Sequence, residues 1–110
     1  MNKAVITIMQ GDQYAIPFEI LKEDGTAACA DDFTEVEIVV GSLQKRLTEG
    51  GIEYSGVSGV FLFPLTQAET FAMRNMPQDI MLRVKTVAGD VIGMSLGQMI
   101  VDLSLSTEVL

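Results

Sequence analysis

Apolar and polar residues alternate with a period of two along most of the chain, the spacing of strands whose side chains point to opposite faces of a sheet. Ala4 to Met9 opens as a β-branched run and is broken at Gly11-Asp12. A second strand puts Tyr14, Ile16, Phe18 and Ile20 on one face and Glu19 on the other. Pro17 has no N–H to give a ladder, so it predicts a free edge or a bulge there. Glu23-Asp24-Gly25-Thr26 reads as a turn, and Ala27 to Asp32 as a loop of small residues. Glu35 to Val40 predicts the next strand, with Val36, Ile38 and Val40 inward and Glu35 and Glu37 solvated. Gly41-Ser42 bends the chain into a short polar strand over Leu43 to Thr48, and Glu49-Gly50-Gly51 turns it towards a weak strand at Ile52-Glu53-Tyr54. Val60 to Leu65 is apolar on both faces, which fits a central strand or a strand with one face in a subunit contact.

One helical stretch interrupts the alternation. Thr66-Gln67-Ala68-Glu69 has the spacing of a capping box, and Asn75-Met76-Pro77 ends the helix within about two turns. A hairpin follows: Ile80, Leu82 and Val84 share a face, Gly89-Asp90 supplies a two-residue turn, and the chain returns from Val91. On the return, Ile92, Met94 and Leu96 share one face and Met99, Val101 and Leu103 the next. That change of phase predicts a β-bulge at Gly97-Gln98. Residues 104–110 are expected to fray or to pair with the edge of a neighbouring chain.

Seven or eight short strands with regular turns predict an all-β fold, an antiparallel immunoglobulin-like sandwich with one short helix before the last hairpin. An OB-like or other small barrel is the alternative. No linker or repeat divides the 110 residues, so 1–110 reads as one domain.

The order of these signals resembles the N-terminal domain of phage upper baseplate proteins. The features that carry the likeness are Gly11-Asp12 after the first strand, the Lys22-Glu23-Asp24-Gly25 turn, and the strand with Val36, Ile38 and Val40. The run Gly59 to Thr66, the short helix and the Gly89-Asp90 hairpin complete it. It extends from about Ile6 to Leu103. Pro77-Gln78-Asp79-Ile80 stands where the family has a Gly followed by an aromatic. Members often carry the domain at the head of a longer chain, whereas this chain ends close to the sandwich. The resemblance implies an immunoglobulin-like fold and a structural role in a phage or prophage tail or baseplate. The partners would be other tail proteins or copies of the same chain.

Composition narrows the chemistry. With 48% hydrophobic and 20% charged residues the chain has the makings of a packed core, not of a disordered segment. No apolar run approaches the length of a membrane span, and Met1 to Thr7 lacks the pattern of a signal peptide. These features point to synthesis in a bacterial-type cytoplasm, and the resemblance to a place in the virion. A net charge of −8 disfavours nucleic acid and anionic membrane as partners. There is no His and a single Cys, Cys29, which rules out Ser-His and Cys-His nucleophilic machinery, an internal disulfide and the usual zinc sites.

No enzymatic constellation emerges, and no cofactor or metal is called for. The serines at 42, 55, 58, 95, 104 and 106 have no His as base, and Gly50-Gly51 lacks the Lys-Ser/Thr of a phosphate loop. The acidic group Glu23, Asp24, Asp31, Asp32, Glu35 and Glu37 lacks calcium-loop spacing, so solvated charge is its ordinary reading. Tyr14 and Tyr54 are the aromatic candidates for a carbohydrate-binding or surface-ligand module, the alternative function. A minor regulatory or enzyme-accessory domain is a third. Apolar residues off the expected core face are the better lead: Val39, Val60, Leu62, Met81 and Val87, with Met73 and Met76 beside the helical turn. They predict an apolar interface of an oligomer or a partner complex.

Overall fold

The computed structural model describes residues 4–110. Part of the Met1 to Thr7 reading falls on residues 1–3, outside the described residues. The fold is all-β, in two sheets. Among the described residues eight strands occur in the order β1 Ala4–Met9, β2 Ala15–Phe18, β3 Phe33–Val40, β4 Leu43–Arg46, β5 Glu53–Ser55, β6 Val60–Pro64, β7 Gln78–Thr86 and β8 Val91–Asp102. An α-helix, α1 Gln67–Phe71, links β6 to β7. Among the described residues no helix is long and apolar enough to cross a membrane.

One sheet runs β1-β8-β7-β3-β4 and the other β2-β6-β5. Their facing sides share one core, in which Ile38, Leu82 and Met99 of the larger sheet join Ile16, Phe61 and Phe63 of the smaller. Phe33 and Phe61 meet across the layers at 6.2 Å between ring centroids. The inward positions follow the period of two on β3 (Val36, Ile38, Val40), β7 (Ile80, Leu82, Val84) and β6 (Phe61, Phe63), all buried. Val60 to Leu65 is therefore core on one face only, and Val60 and Leu62 on the other face are half-buried. Pro17 stands on β2, an edge strand of the smaller sheet, as its missing N–H requires.

The structure corrects three details. The pairing is not antiparallel throughout, because β1 lies parallel to β8 from Ala4 opposite Gly97 to Met9 opposite Asp102. Two strands far apart in sequence can pair this way because the whole domain connects them. The hairpin turn is also longer than Gly89-Asp90. Thr86 N–H donates to the Asp90 carbonyl at 2.8 Å and Gly89 N–H to the Thr86 carbonyl at 2.9 Å, so the loop is Val87-Ala88-Gly89. Gly89 closes it at φ +98°, the left-handed position a three-residue hairpin needs. The third concerns Glu37 and is taken up with its surroundings below.

The bulge on β8 lies at Leu96-Gly97, one residue from its expected place. Ile80 pairs with Gly97 and Met81 with Ser95, leaving Leu96 as the extra residue, and Gly97 has φ +132°. After it, Met99 and Val101 turn fully into the core, while Met94 and Leu96 before it are only half-buried.

The helix is set by its cap. Glu69 N–H donates to Thr66 Oγ1 at 3.1 Å, and Thr66 N–H donates to the Glu69 carboxylate at 2.9 Å. The same carboxylate holds Lys45 Nζ of β4 at 3.1 Å. Lys45 Nζ also donates to the Pro64 carbonyl and lies 5.2 Å from the Phe63 ring centroid. Lys45 thus ties the edge strand of the larger sheet to the end of β6.

Candidate interaction surfaces

The apolar residues picked out in the sequence do not form one patch. Val39 and Met81 are cross-strand partners on the outer face of the larger sheet. Val60 and Leu62 lie on the outer face of the smaller sheet, on the other side of the core. Val87 stands at the tip of the β7–β8 hairpin, exposed. Met73 packs against the core, and Met76 is half-exposed after the helix. These two methionines, with Leu43 and Glu69, border a concavity of about 570 Å³.

Around Val39 and Met81 the outer face is polar and internally paired. Glu37 is not solvated as its alternation implies; it is 5% exposed. Arg83 Nε and Arg46 Nε each donate to its carboxylate at 3.1 Å, from β7 and β4 on either side of β3, and Gln44 donates as well. The three long side chains close over the carboxylate and remove it from water. Burial works to raise the Glu37 pKa, but the donors from Gln44, Arg46 and Arg83 outweigh it and hold the carboxyl below its ordinary value. Local period reports which face a side chain takes, not whether neighbouring strands will cover it.

Three of the other acids are also engaged one by one. Asp24 accepts from Thr26 Oγ1 at 2.6 Å, and Asp32 accepts from Cys29 N–H at 2.8 Å and sits 3.4 Å from Lys22 Nζ. Glu35 receives Thr48 N–H at 3.1 Å. Among the described residues no three of these groups converge on a common point. Tyr54 packs on Phe61 at 4.9 Å between centroids, whereas Tyr14 is half-exposed, so the two do not form a paired platform.

A further apolar region lies elsewhere, along the side where β2 and the first half of β8 are neighbours. β1 covers β8 only from Gly97 to Asp102, so among the described residues Val91 to Leu96 have no strand on their outer side. Two concavities of about 360 and 850 Å³ adjoin there and share Ile20, Leu21 and Met94 in their walls. Val91 is 62% exposed, Leu21 52% and Ile92 45%. The sequence signal for this region was the change of phase in β8, which marks the strand as having two halves with different surroundings. What it does not reveal is which half β1 covers.

No family model matches the chain, and neither a curated protein nor a solved structure matches it.

Proposed function

We propose that this chain is a non-enzymatic structural module of a phage or prophage tail or baseplate, an immunoglobulin-like sandwich that works through protein–protein contacts. Strand order supports the fold assignment. In the immunoglobulin lettering, β8-β7-β3-β4 corresponds to G-F-C-C′ and β2-β6-β5 to B-E-D, with α1 at the E–F corner and the opening strand moved to the G edge. The resemblance to phage upper baseplate domains supplies the setting.

The observation that carries an assembly role is the apolar surface beside the first half of β8, where Leu21, Val91 and Ile92 stand exposed and no strand among the described residues pairs with the outer side of Val91 to Leu96. A strand edge with apolar side chains next to it is a template for another chain. Burying an aliphatic side chain fully is worth about 1.5–3 kcal/mol, while association costs about 4–15 kcal/mol in lost freedom. A few such residues give a weak single contact, and a stable particle needs several contacts per subunit. The net charge of −8 keeps unassembled subunits apart.

Purified tail particles from the strain that carries the sequence provide the test. Mass spectrometry is expected to find this chain in fixed ratio to the other tail proteins. Its absence from intact particles would sink the baseplate reading.

A further inference from the structure

The turn from Lys22 to Thr26 holds a chemically labile bond in a fixed geometry. Asp24-Gly25 is the one place in the sequence where an Asp or Asn precedes a glycine. At such a pair no side chain shields the glycine amide nitrogen, which can attack the neighbouring carboxyl carbon. A bond forms between Gly25 N and Asp24 Cγ, the amide proton leaves to solvent, and the carboxyl loses its OH as water. Water then adds at the Asp24 main-chain carbonyl carbon and opens the cyclic imide. The product is an isoaspartyl link, with an extra methylene in the backbone and no net gain or loss of atoms.

The fold calls for this pair of residues. Lys22 N–H donates to the Thr26 carbonyl at 2.8 Å and Gly25 N–H to the Lys22 carbonyl at 3.0 Å, closing the turn next to the Leu21–Ala27 bridge. Gly25 stands at φ +85°, where a side chain is strained. Asp24 supplies the acceptor that ties the turn, since its Oδ1 receives Thr26 N–H at 3.0 Å and Thr26 Oγ1 at 2.6 Å. Both reacting groups are therefore engaged elsewhere, the carboxylate on Thr26 and the Gly25 amide on Lys22. Asp24, Gly25 and Thr26 are all exposed, so packing does not restrain them. The Thr26 hydroxyl, and after it the Thr26 amide, also hold the Asp24 carboxyl below its ordinary pKa. An ionised carboxylate has no OH to lose as water.

We infer that Thr26 protects the Asp24–Gly25 bond from isomerisation, and that its hydroxyl sets the rate at which this turn is converted to isoaspartate. The inference is independent of the assembly reading. Its consequence still reaches the surface described above, because Leu21, Lys22, Glu23 and Gly25 wall the concavity of about 850 Å³. An extra backbone methylene spoils the register of the hydrogen bonds that close the turn and displaces that wall.

The full-length wild type, Thr26→Val and Thr26→Ser are held at neutral pH, folded and again in concentrated urea, and then cut with trypsin. The peptide from Glu23 to Lys45 keeps its mass on isomerisation, and chromatography separates the two forms. The folded wild type is expected to isomerise more slowly than the wild type in urea. Thr26→Val keeps the amide and loses the hydroxyl, so it should exceed the folded wild type by about two- to ten-fold, the worth of one net hydrogen bond. Thr26→Ser keeps the hydroxyl and should stay near the wild type, and in urea all three should run alike. A folded wild type as fast as the unfolded one overturns the inference without any variant. A Thr26→Val chain that melts like the wild type and isomerises at its rate overturns it too. So does a Thr26→Ser chain as fast as Thr26→Val, or an excess in Thr26→Val that persists in urea, which places the effect in the local chain and not in the folded turn.

Discussion

Thr70 Oγ1 accepts the amide proton of Gly11 at 2.9 Å and donates its own to the Asp12 carbonyl at the same distance. Thr70 is fully buried, so this hydroxyl fastens the β1–β2 loop to α1. Gly11 sits at φ +91°, and a Cβ there would come within 2.7 Å of the Phe71 ring. Replacing Thr70 by Val keeps the shape but leaves the Gly11 amide without its partner, an expected cost of about 1–3 kcal/mol. Gly11→Ala adds steric conflict to a strained φ and is expected to cost at least as much. Thermal melts check both, since about 1 kcal/mol moves Tm by about 4–8 °C in a domain of this size.

The carboxylate of Glu37 makes stability depend on acid. Its pKa is held below the ordinary value in the folded chain, and so are those of Glu69 and Glu35. For Glu69, burial pushes upward, and the Thr66 amide and Lys45 outweigh it. For Glu35, burial is likewise outweighed, by the Thr48 hydroxyl and amide. A folded pKa below the unfolded one means the unfolded state binds protons first as pH falls. The stabilisation is complete above the ordinary carboxylate range and is lost as pH drops through the lowered folded values. Glu37→Gln is expected to destabilise by about 1–2 kcal/mol at neutral pH, because Arg46 and Arg83 lose their charged partner while staying partly in water. It should also flatten the acid limb of a denaturation curve measured against pH. An unchanged acid limb would show that the cluster does not carry the effect.

Lys45 and Glu69 join the edge strand β4 to the helix cap. Glu69→Ala removes both the reciprocal cap and this ion pair, and it is expected to cost about 0.5–2 kcal/mol. Lys45→Ala leaves the cap in place but takes away the ion pair together with the Nζ contacts to the Pro64 carbonyl and the Phe63 ring, so it is expected to cost a similar amount. Urea titration of both variants checks the two costs.

Period two makes a sharp contrast on β7. Leu82 is buried and Met81, its neighbour, is half-exposed opposite Val39. Leu82→Ala is expected to cost about 2–5 kcal/mol and Met81→Lys to stay within about 0.5 kcal/mol in the monomer. If the Val39–Met81 face were a subunit contact, Met81→Lys would weaken association without changing the monomer's Tm. Leu62→Lys asks the same of the opposite face.

Strand positions, the helix cap and the bulge were legible in the sequence because each is encoded by neighbours a few residues apart. Thr66 and Glu69 reach one another across one turn, and Gly97 marks the point where the apolar phase of β8 slips. The alternation of Val36, Ile38 and Val40 was enough to name a core face. Covering is a different kind of property. Glu37 had the pattern of a solvated residue, yet arginines from β4 and β7 close over it, and their positions depend on which strands lie beside β3. The same holds for the apolar residues picked as one interface: Val39 and Leu62 point away from a shared core in opposite directions, which no one-dimensional spacing records. Only the tertiary structure could decide that β1 lies parallel to β8, because a pairing between strands nearly a whole chain apart is set by the packing of everything between them. Local chemistry in the sequence determined what each segment is; the order of strands in the sheets determined what each segment meets.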